Sequence, residues 1–140
     1  MTDYDDSFIR NVLERTETIA MVGASPKPER ASHRVGNFLV SKGYRVIPVN
    51  PGQVGNTLFG ETVVASLSDI REKIDMVDIF RRAEDIDPIV DQVLQMDDVQ
   101  TIWMQLGIVN ENAATKAEAA GLDVIMDRCP AIEYPRLIGG

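Results

Sequence analysis

The stretch TIAMVGASPKPERAS, residues Thr18 to Ser32, decides the fold of this chain. Its first five residues form a short apolar run, which is typical of a buried parallel strand. A long loop that begins at Gly23 follows, and we predict that Ser32 is the N-cap residue of the next helix. A strand, a glycine-led loop and a helix in this order commonly bind phosphate groups at the N-terminus of the helix.

Further strands and helices alternate along the rest of the sequence. The apolar runs predict strands at Tyr44–Val49, Met76–Phe80, Thr101–Met104 and Leu122–Met126, with a weaker edge strand at Thr62–Ala65. The spacing of apolar residues and the capping residues predict helices at Asp6–Arg15, from Ser32 to just before Gly43, at Asp69–Ile74 after Ser68, at Ile86–Met96, and at Glu111–Ala120 between Asn110 and Gly121. We expect Arg128–Gly140, which has no clear period, to pack on the domain as an ordered tail.

This alternation predicts an α/β fold of the Rossmann type, with a mostly parallel, doubly wound sheet and helices on both faces. We place Thr18–Val22 at the centre, Tyr44–Val49 and the weak edge strand on one side, and Met76–Phe80 and the later strands on the other. Ligands of such sheets bind where the chain changes direction, outside the carboxyl ends of the strands. The segments expected there are Gly23–Ser32, Asn50–Gly52 and Phe80–Ala83, with Trp103–Gly107 nearby.

Length and composition narrow the class of protein. The chain has 140 residues, a common size for one domain, so we expect residues 1–140 to form a single domain. A net charge of -8 argues against nucleic-acid binding, because the phosphate backbone repels an acidic protein. The single cysteine, Cys129, excludes an intramolecular disulfide. An acidic N-terminus and the lack of a long apolar stretch predict a cytoplasmic protein that does not enter membranes.

The first loop carries the clearest signal for a ligand. Gly23 lets a phosphate approach the backbone, Ser25 and Ser32 add hydroxyl groups, and Lys27, Arg30 and Arg34 add positive charge. From Lys27 to Arg45 there are five basic residues and one acid, so this acidic protein has a local positive patch. The alternative interpretation is a surface loop and a solvated helix face without a ligand.

The glycine fingerprint of dinucleotide-binding proteins is absent. Ser25 and Pro28 stand where its second and third glycines would lie. The second strand ends in Val49-Asn50-Pro51, without the acid that would hold the ribose hydroxyls. NAD is therefore the second choice, after a ligand with more phosphate charge.

Two further strand ends carry candidate ligand residues. Arg81 and Arg82 follow Phe80 and could bind a phosphate or stack on a purine. Alternatively, they form ion pairs with the acids that follow, Glu84 and Asp85. At the end of the strand Thr101–Met104, Trp103 is expected in the core, whereas Gln105 and Gly107 are better placed to contact a ligand.

Catalytic groups are scarce in the sequence. The single histidine, His33, has no neighbouring carboxylate in sequence to orient it as a general base, and we expect it on a helix surface or at a phosphate. One histidine and one cysteine do not make a zinc site, and the acids do not follow a calcium-loop pattern. Cys129 is expected to be a small buried residue; exchange with a thiol ligand to form a mixed disulfide is a minor alternative.

Six motifs in order resemble the small bacterial CoA-binding proteins, which are the stand-alone version of the CoA-binding domain of the succinyl-CoA synthetase alpha subunit. They are VGAS at Val22–Ser25, the pair Arg30 and Ser32 that follows it, VIPVNP at Val46–Pro51, MVDIFRR at Met76–Arg82, WMQLG at Trp103–Gly107, and MDRCPAIE at Met126–Glu133. The resemblance covers nearly the whole chain and implies a Rossmann domain that binds CoA at the carboxyl ends of the strands.

The resemblance also implies roles for particular residues. Gly23, Ala24, Ser25, Arg30 and Ser32 would hold the diphosphate, and Asn50 and Pro51 would border the same cleft. Phe80, Arg81 and Arg82 would lie by the adenosine, Met104, Gln105 and Gly107 along the pantetheine arm, and Cys129 and Pro130 would match the cysteine-proline pair of the ligases. The chain departs from the synthetase at Gln53, which stands in place of a lysine, and the synthetase's phosphorylated histidine lies in a second domain that has no counterpart in this sequence.

The sequence thus predicts a protein that binds CoA or an acyl-CoA and is not catalytic on its own. Two alternatives stay open. The chain could be the CoA-binding subunit of a split acyl-CoA ligase, whose partner would bring the histidine and the nucleotide site, or an NAD(H)-binding redox sensor. The sequence does not identify a protein partner.

Overall fold

The computed structural model describes residues 3–139 and contains a five-stranded parallel sheet and a short antiparallel hairpin. In chain order the strands are β1 (Thr18–Val22), β2 (Arg45–Val49), β3 (Thr57–Leu58), β4 (Glu61–Thr62), β5 (Met76–Ile79), β6 (Thr101–Met104) and β7 (Asp123–Ile125). The sheet order is β2-β1-β5-β6-β7, and β3 pairs with β4. The chain therefore changes direction between β1 and β5, as the sequence predicts, and the Rossmann-type fold is confirmed.

Five helices cover the two faces of this sheet within the described residues. They are α1 (Asp6–Arg15), α2 (Ala31–Ser41), α3 (Ile86–Val93), α4 (Glu111–Ala119) and α5 (Pro130–Leu137). Buried residues of α1 and α2 share one apolar cluster, with α5 packed against it, and those of α3 and α4 share the other. Every residue of β5 and β6 is buried, because both strands lie inside the sheet with helices on each side.

Local chemistry explains most of the element boundaries. The Asn110 side chain accepts a hydrogen bond from the Ala113 amide at 3.0 Å and so begins α4, as predicted. After α2 the chain turns at Gly43, whose φ of 98° is readily adopted only by glycine. No helix among residues 3–139 combines the length and the apolar character that a membrane span requires.

The structure corrects four predictions. Helix α2 begins at Ala31 with Arg30 at the N-cap position, because the Ser32 hydroxyl accepts a bond from the Ser25 amide and is therefore not the cap. A short 3-10 helix, Leu67–Asp69, which begins after Ser66, replaces the helix predicted at Asp69–Ile74. The edge strand predicted at Thr62–Ala65 is reduced to the end of β4 and one parallel bridge between Val49 and Val64. The predicted tail contains α5, while Gly140 lies outside the described residues.

The segment before α1 contacts the outer edge of the sheet. The Tyr4 hydroxyl oxygen accepts a hydrogen bond at 2.8 Å from the amide of Met126, the residue after β7. The Tyr4 ring stacks on Phe8 and lies under the guanidinium group of Arg128. This residue therefore ties the N-terminal segment to the last strand.

One carboxyl group lies fully buried inside the sheet. Asp78, in β5, stands beside Met21 of β1 and Trp103 of β6 and has no exposed surface. Neither of its carboxyl oxygens has a hydrogen-bond partner among the described residues. Burial raises the pKa of Asp78 well above its usual range, and this effect outweighs the opposite influence of the nearby Ile79 amide.

Candidate functional site

The loop after β1 passes close to both neighbouring strands. The Gly23 amide donates to the Val49 carbonyl at 2.9 Å, and its φ is 89°. A Cβ atom at this position would lie only 2.6 Å from the Phe80 carbonyl oxygen. Glycine is therefore required here, for its backbone conformation as well as for space.

Ser25 fixes the conformation of the loop through all three of its polar groups. Its amide donates to the Ser32 hydroxyl at 3.1 Å, and its hydroxyl accepts from the Lys27 amide at 3.1 Å. Its carbonyl oxygen lies 3.2 Å from Nδ1 of His33, and because a carbonyl can only accept, Nδ1 carries the hydrogen. These bonds hold the loop against the first turn of α2, and they leave the Ser25 amide unavailable to a ligand.

Asn50 joins this loop to the end of β2. Its Nδ2 donates to the Ala24 carbonyl at 2.7 Å, and its Oδ1 accepts from the Gly52 amide at 2.8 Å. The position that holds the ribose-binding acid in dinucleotide-binding proteins is thus occupied by an amide side chain that is engaged within the protein.

The N-terminus of α2 faces a cleft of about 370 Å³. In the first turn of α2 the Arg30 and His33 amides donate to the Lys27 and Arg30 carbonyls. Among the described residues the Ala31 and Ser32 amides have no hydrogen-bond acceptor, and the Arg30 side chain provides no cap. The basic side chains of Lys27 and Arg30 line the cleft beside this helix end, which itself favours anions. The cleft is lined by Gly23, Ser25, Lys27, Arg30, Ala31, Ser32, Asn50 and Phe80.

A second cleft, of about 300 Å³, adjoins the first at Gly23. Its walls include apolar side chains from the ends of β1 and β2, together with Pro51 and Arg81. Arg81 lies 3.6 Å from Asp85, and Arg82 lies 3.3 Å from Asp85 and 3.7 Å from Glu84. Both arginines therefore form ion pairs in this structure, in agreement with the alternative prediction. Arg82 does not line either cleft.

The predicted residues at the end of β6 lie outside both clefts. Met104 is completely buried in the core, so the expectation that it contacts a ligand is corrected: its side chain has no exposed surface. Trp103 is also in the core, as predicted, and its Nε1 donates to the Arg128 carbonyl at 2.8 Å. Gln105 is 5% exposed, and its Oε1 has no hydrogen-bond partner among the described residues. Gly107 has a φ of 80° and donates its amide to Asp127 at 2.7 Å.

The remaining candidates occupy structural positions. Ala24 is fully buried, so only its backbone can border the cleft. Arg34 does not line either cleft and donates to the Glu29 carbonyl at 2.7 Å, which supports the loop from outside. Cys129 is 6% exposed at the N-cap position of α5 and makes no capping hydrogen bond. Within residues 3–139 no carboxylate hydrogen-bonds to the His33 ring.

Sequence reasoning missed one contact next to the site. Phe59, at the tip of the β3–β4 hairpin, packs directly on Gly36 of α2 and beside His33. The only signal in the sequence is a glycine in the middle of a predicted helix, which is unfavourable unless something must approach closely.

A parallel sheet with a glycine-led loop and a helix N-terminus at the point where the strand order reverses defines a domain of the Rossmann type. The sequence profile of the family described as CoA binding domain matches residues 17–135, and this chain belongs to that family. The predicted resemblance is thereby confirmed.

Several known proteins are similar to this chain. The uncharacterized protein YneT of Bacillus subtilis (strain 168) is 39% identical over 126 residues, which are 90% of this chain and 91% of YneT. The structure of cell-free ID.343 from Thermus thermophilus is 38% identical, with a TM-score of 0.91 over 96% of this chain and 99% of the other. The dinucleotide-forming acetyl-coenzyme A synthetase 1 of Ca. Korarchaeum cryptofilum shares the fold, with 21% identity and a TM-score of 0.66 over 82% of this chain and 27% of the synthetase.

Proposed function

We propose that this protein binds CoA or an acyl-CoA in the cytoplasm, with the diphosphate at the N-terminus of α2. The observation that carries the proposal is the uncapped first turn of α2, which faces a cleft lined by Lys27 and Arg30. The Ala31 and Ser32 amides, together with the Lys27 and Arg30 side chains, would neutralise a diphosphate, which carries more charge than one helix end compensates. Membership of the CoA binding domain family supports this choice of anion.

The second cleft is the proposed site for the adenosine. Its apolar walls suit a purine ring, and Arg81, half-exposed at its rim, could contact the phosphate on the ribose. To do so Arg81 would exchange its 3.6 Å contact with Asp85 for the phosphate. This contact is long and partly exposed, so its loss is a small penalty.

Gln105 is the proposed contact for the pantetheine arm. A buried amide oxygen without a partner is unfavourable, and a ligand N–H would satisfy it. The pantetheine arm contains two amide groups, and its thiol is the point at which an acyl group is carried. Gly107, two residues further, has no side chain that would obstruct the ligand.

The protein is proposed to bind without catalysing a reaction. His33 uses Nδ1 to hold the Ser25 carbonyl, so the ring serves the loop conformation. Nucleophilic or acid–base catalysis needs a reactive group and a second group that orients it. Incubation of the protein with acetyl-, succinyl- and longer acyl-CoA, with and without ATP, is expected to release no more free CoA than a heat-denatured control. Turnover that is abolished by Cys129→Ser or His33→Ala would contradict this part of the proposal.

Calorimetry with CoA, dephospho-CoA and NAD tests the ligand assignment. We expect CoA to bind more tightly than NAD, and Arg30→Ala to weaken CoA binding by about 1.5–3 kcal/mol, the range for a hydrogen bond to a charged group. Lys73→Ala is the matched control, because Lys73 is an exposed cation just before β5, at the amino ends of the strands and away from both clefts. Tighter binding of NAD, or unchanged binding of CoA by both Lys27→Ala and Arg30→Ala, would refute the proposal.

Calorimetry with CoA and dephospho-CoA also tests whether Arg81 lies at the adenosine end of the ligand. If Arg81 contacts the ribose phosphate, Arg81→Ala weakens the binding of CoA but leaves dephospho-CoA, which lacks that phosphate, nearly unchanged. An equal loss for both ligands would place Arg81 at the diphosphate or the purine instead.

A further inference from the structure

The β3–β4 hairpin reaches over α2 and ends in an aromatic ring beside the candidate phosphate loop. The two residues at its tip, Phe59 and Gly60, both have positive φ angles, 57° and 78°. A two-residue hairpin turn of this kind favours asparagine, aspartate or glycine, and a bulky aromatic residue is strained in it. A strained residue persists only where the surrounding structure holds it, and here the contacts of the Phe59 ring with α2 hold it.

The ring of Phe59 occupies a socket that exists because residue 36 is glycine. A Cβ atom on Gly36 would overlap Cζ and Cε1 of Phe59 and would lie 2.9 Å from Cε2. Glycine inside a helix is unfavourable relative to alanine, so Gly36 lowers the stability of α2 but leaves space for the ring. The other side of the hairpin is fixed as well, since Arg45 of β2 pairs with both carboxylate oxygens of Glu61 at 2.8 and 3.0 Å.

The ring also contacts the residue that orients the loop. His33 and Gly36 are three residues apart and share one face of α2. The His33 and Phe59 ring centroids lie 6.3 Å apart, with an interplanar angle of 53°. On its other side, Nδ1 of His33 lies 3.2 Å from the carbonyl oxygen of Ser25. A continuous series of contacts thus runs from the hairpin tip through His33 to the loop.

We propose that Phe59 is a positioning residue for the anion-binding loop: its ring, seated on Gly36, fixes the rotamer of His33, which in turn holds the Ser25 carbonyl. The proposal rests on the proposed function, since it concerns the affinity of the same loop for CoA. Phe59 itself does not line either cleft. Its effect on a ligand is therefore indirect and passes through the protein, which separates it from Lys27 and Arg30.

Calorimetry with CoA on single and double variants tests the link. Phe59→Ala is expected to weaken CoA binding about three- to tenfold, which corresponds to one hydrogen bond of ordinary strength in the loop. Gly36→Ala should act in the same direction, because the new methyl group displaces the ring. The matched control is Phe38→Ala, which removes an aromatic ring from the same helix where it packs on Tyr134 of α5, away from the loop.

Two readouts separate positioning from a general loss of stability. The variant lacking both Phe59 and His33 side chains should bind CoA no more weakly than His33→Ala alone, whereas independent effects would add. In 15N spectra of the single histidine, Phe59→Ala should reduce the fraction of His33 that carries its hydrogen on Nδ1, and Phe38→Ala should not. Phe59→Leu, which keeps an apolar contact with Gly36, replaces Phe59→Ala if the latter does not fold.

The outcomes are distinct. Unchanged CoA affinity and an unchanged His33 spectrum in Phe59→Ala, with a wild-type protein that binds CoA, would overturn the positioning role and leave the proposed function intact. A wild-type protein that does not bind CoA would overturn the proposed function, while the His33 spectra would still decide whether Phe59 controls His33. Additive effects in the double variant would also overturn the positioning role.

Discussion

The buried carboxyl group of Asp78 makes the stability of the protein depend on pH in a defined direction. Its pKa is raised by burial, so the folded protein keeps the Asp78 proton at a pH where the unfolded chain, with an ordinary pKa of about 3.9, has released it. In that interval the unfolded state binds fewer protons, and raising the pH therefore favours unfolding. One proton changes the free energy of unfolding by at most about 1.4 kcal/mol per pH unit.

Asp78→Asn removes this proton and nearly preserves the shape of the side chain. The free energy of unfolding of the variant should rise relative to the wild type as the pH increases, by at most about 2.7 kcal/mol between about pH 5 and pH 7. At the acid end the variant should have no advantage, because the buried amide has N–H groups that also need partners. Other titrating groups are common to both proteins and cancel in the difference.

Urea unfolding followed by the fluorescence of Trp103 provides the measurement. Trp103 is the single tryptophan, lies beside Asp78 and is fully buried, so its emission reports on the core around the carboxyl group. Asp97→Asn serves as the control, because the exposed Asp97 carboxylate contacts water in both states. A difference between wild type and Asp78→Asn that stays constant with pH would refute the reasoning, since it would mean that Asp78 is ionised in the folded protein.

Three further predictions concern the fold. In urea titrations Gly55→Ala should lower the free energy of unfolding by roughly 1 kcal/mol, and Gly23→Ala should lower it by clearly more. Both glycines have a φ of 89°, but a Cβ atom would clash with neighbouring atoms only at Gly23. Asn110→Ala should cost about 1–2 kcal/mol through the loss of the α4 cap, whereas Asn112→Ala, which removes one long surface contact, should change stability by less than about 0.5 kcal/mol. In ultraviolet titration Tyr44 should ionise at a higher pH than a free tyrosine, since burial raises its pKa to about 12, and stability should therefore fall as the pH rises from about 10 to 12.

The order of the strands could be predicted because it depends on signals that are local in sequence. Short apolar runs that alternate with amphipathic helices leave few topologies, and the predicted β1 and β6 match the structure residue for residue. Gly23 could also be assigned, since a glycine directly after a buried strand at the switch point has few other uses. The cap of α4 followed from Asn110 alone.

The predictions that failed depend on contacts that the pattern of apolar and capping residues does not show. Nothing local shows that the Ser32 hydroxyl is engaged by the Ser25 amide, which moves the start of α2 to Ala31. Helix α5 was missed because Pro135 lies inside it, although packing against α1 and α2 outweighs the lost backbone hydrogen bond. The contact between Phe59 and Gly36 requires the hairpin to fold back on α2, which no periodicity indicates.

The predictions for the candidate site also differ in how well they agree with the structure. Five predicted residues of the first loop and the start of α2 (Gly23, Ser25, Lys27, Arg30 and Ser32) line one cleft, because they lie close together in sequence. Their binding of a ligand stays a prediction. Met104 lies in the core, because β6 is an inner strand and helices cover both faces of the sheet there, so its position at the end of the strand does not expose it. The partners of Arg81 and Arg82 depended on the rotamers of two flexible side chains, which sequence spacing does not determine.

The contact between Tyr4 and Met126 has a consequence for the behaviour of the protein in concentrated solution. Strand β7 is the last in the sheet order, so its outer side presents backbone groups that could pair with a strand of another molecule. The Tyr4 hydroxyl occupies the amide just beyond this strand, and the aromatic rings of Tyr4 and Phe8 stack together nearby. A tag, a cleavage or a shortened N-terminus that displaces Tyr4 would release the Met126 amide next to this edge strand. We expect the protein then to be more prone to edge-to-edge aggregation, while the candidate cleft, three strands away, stays intact.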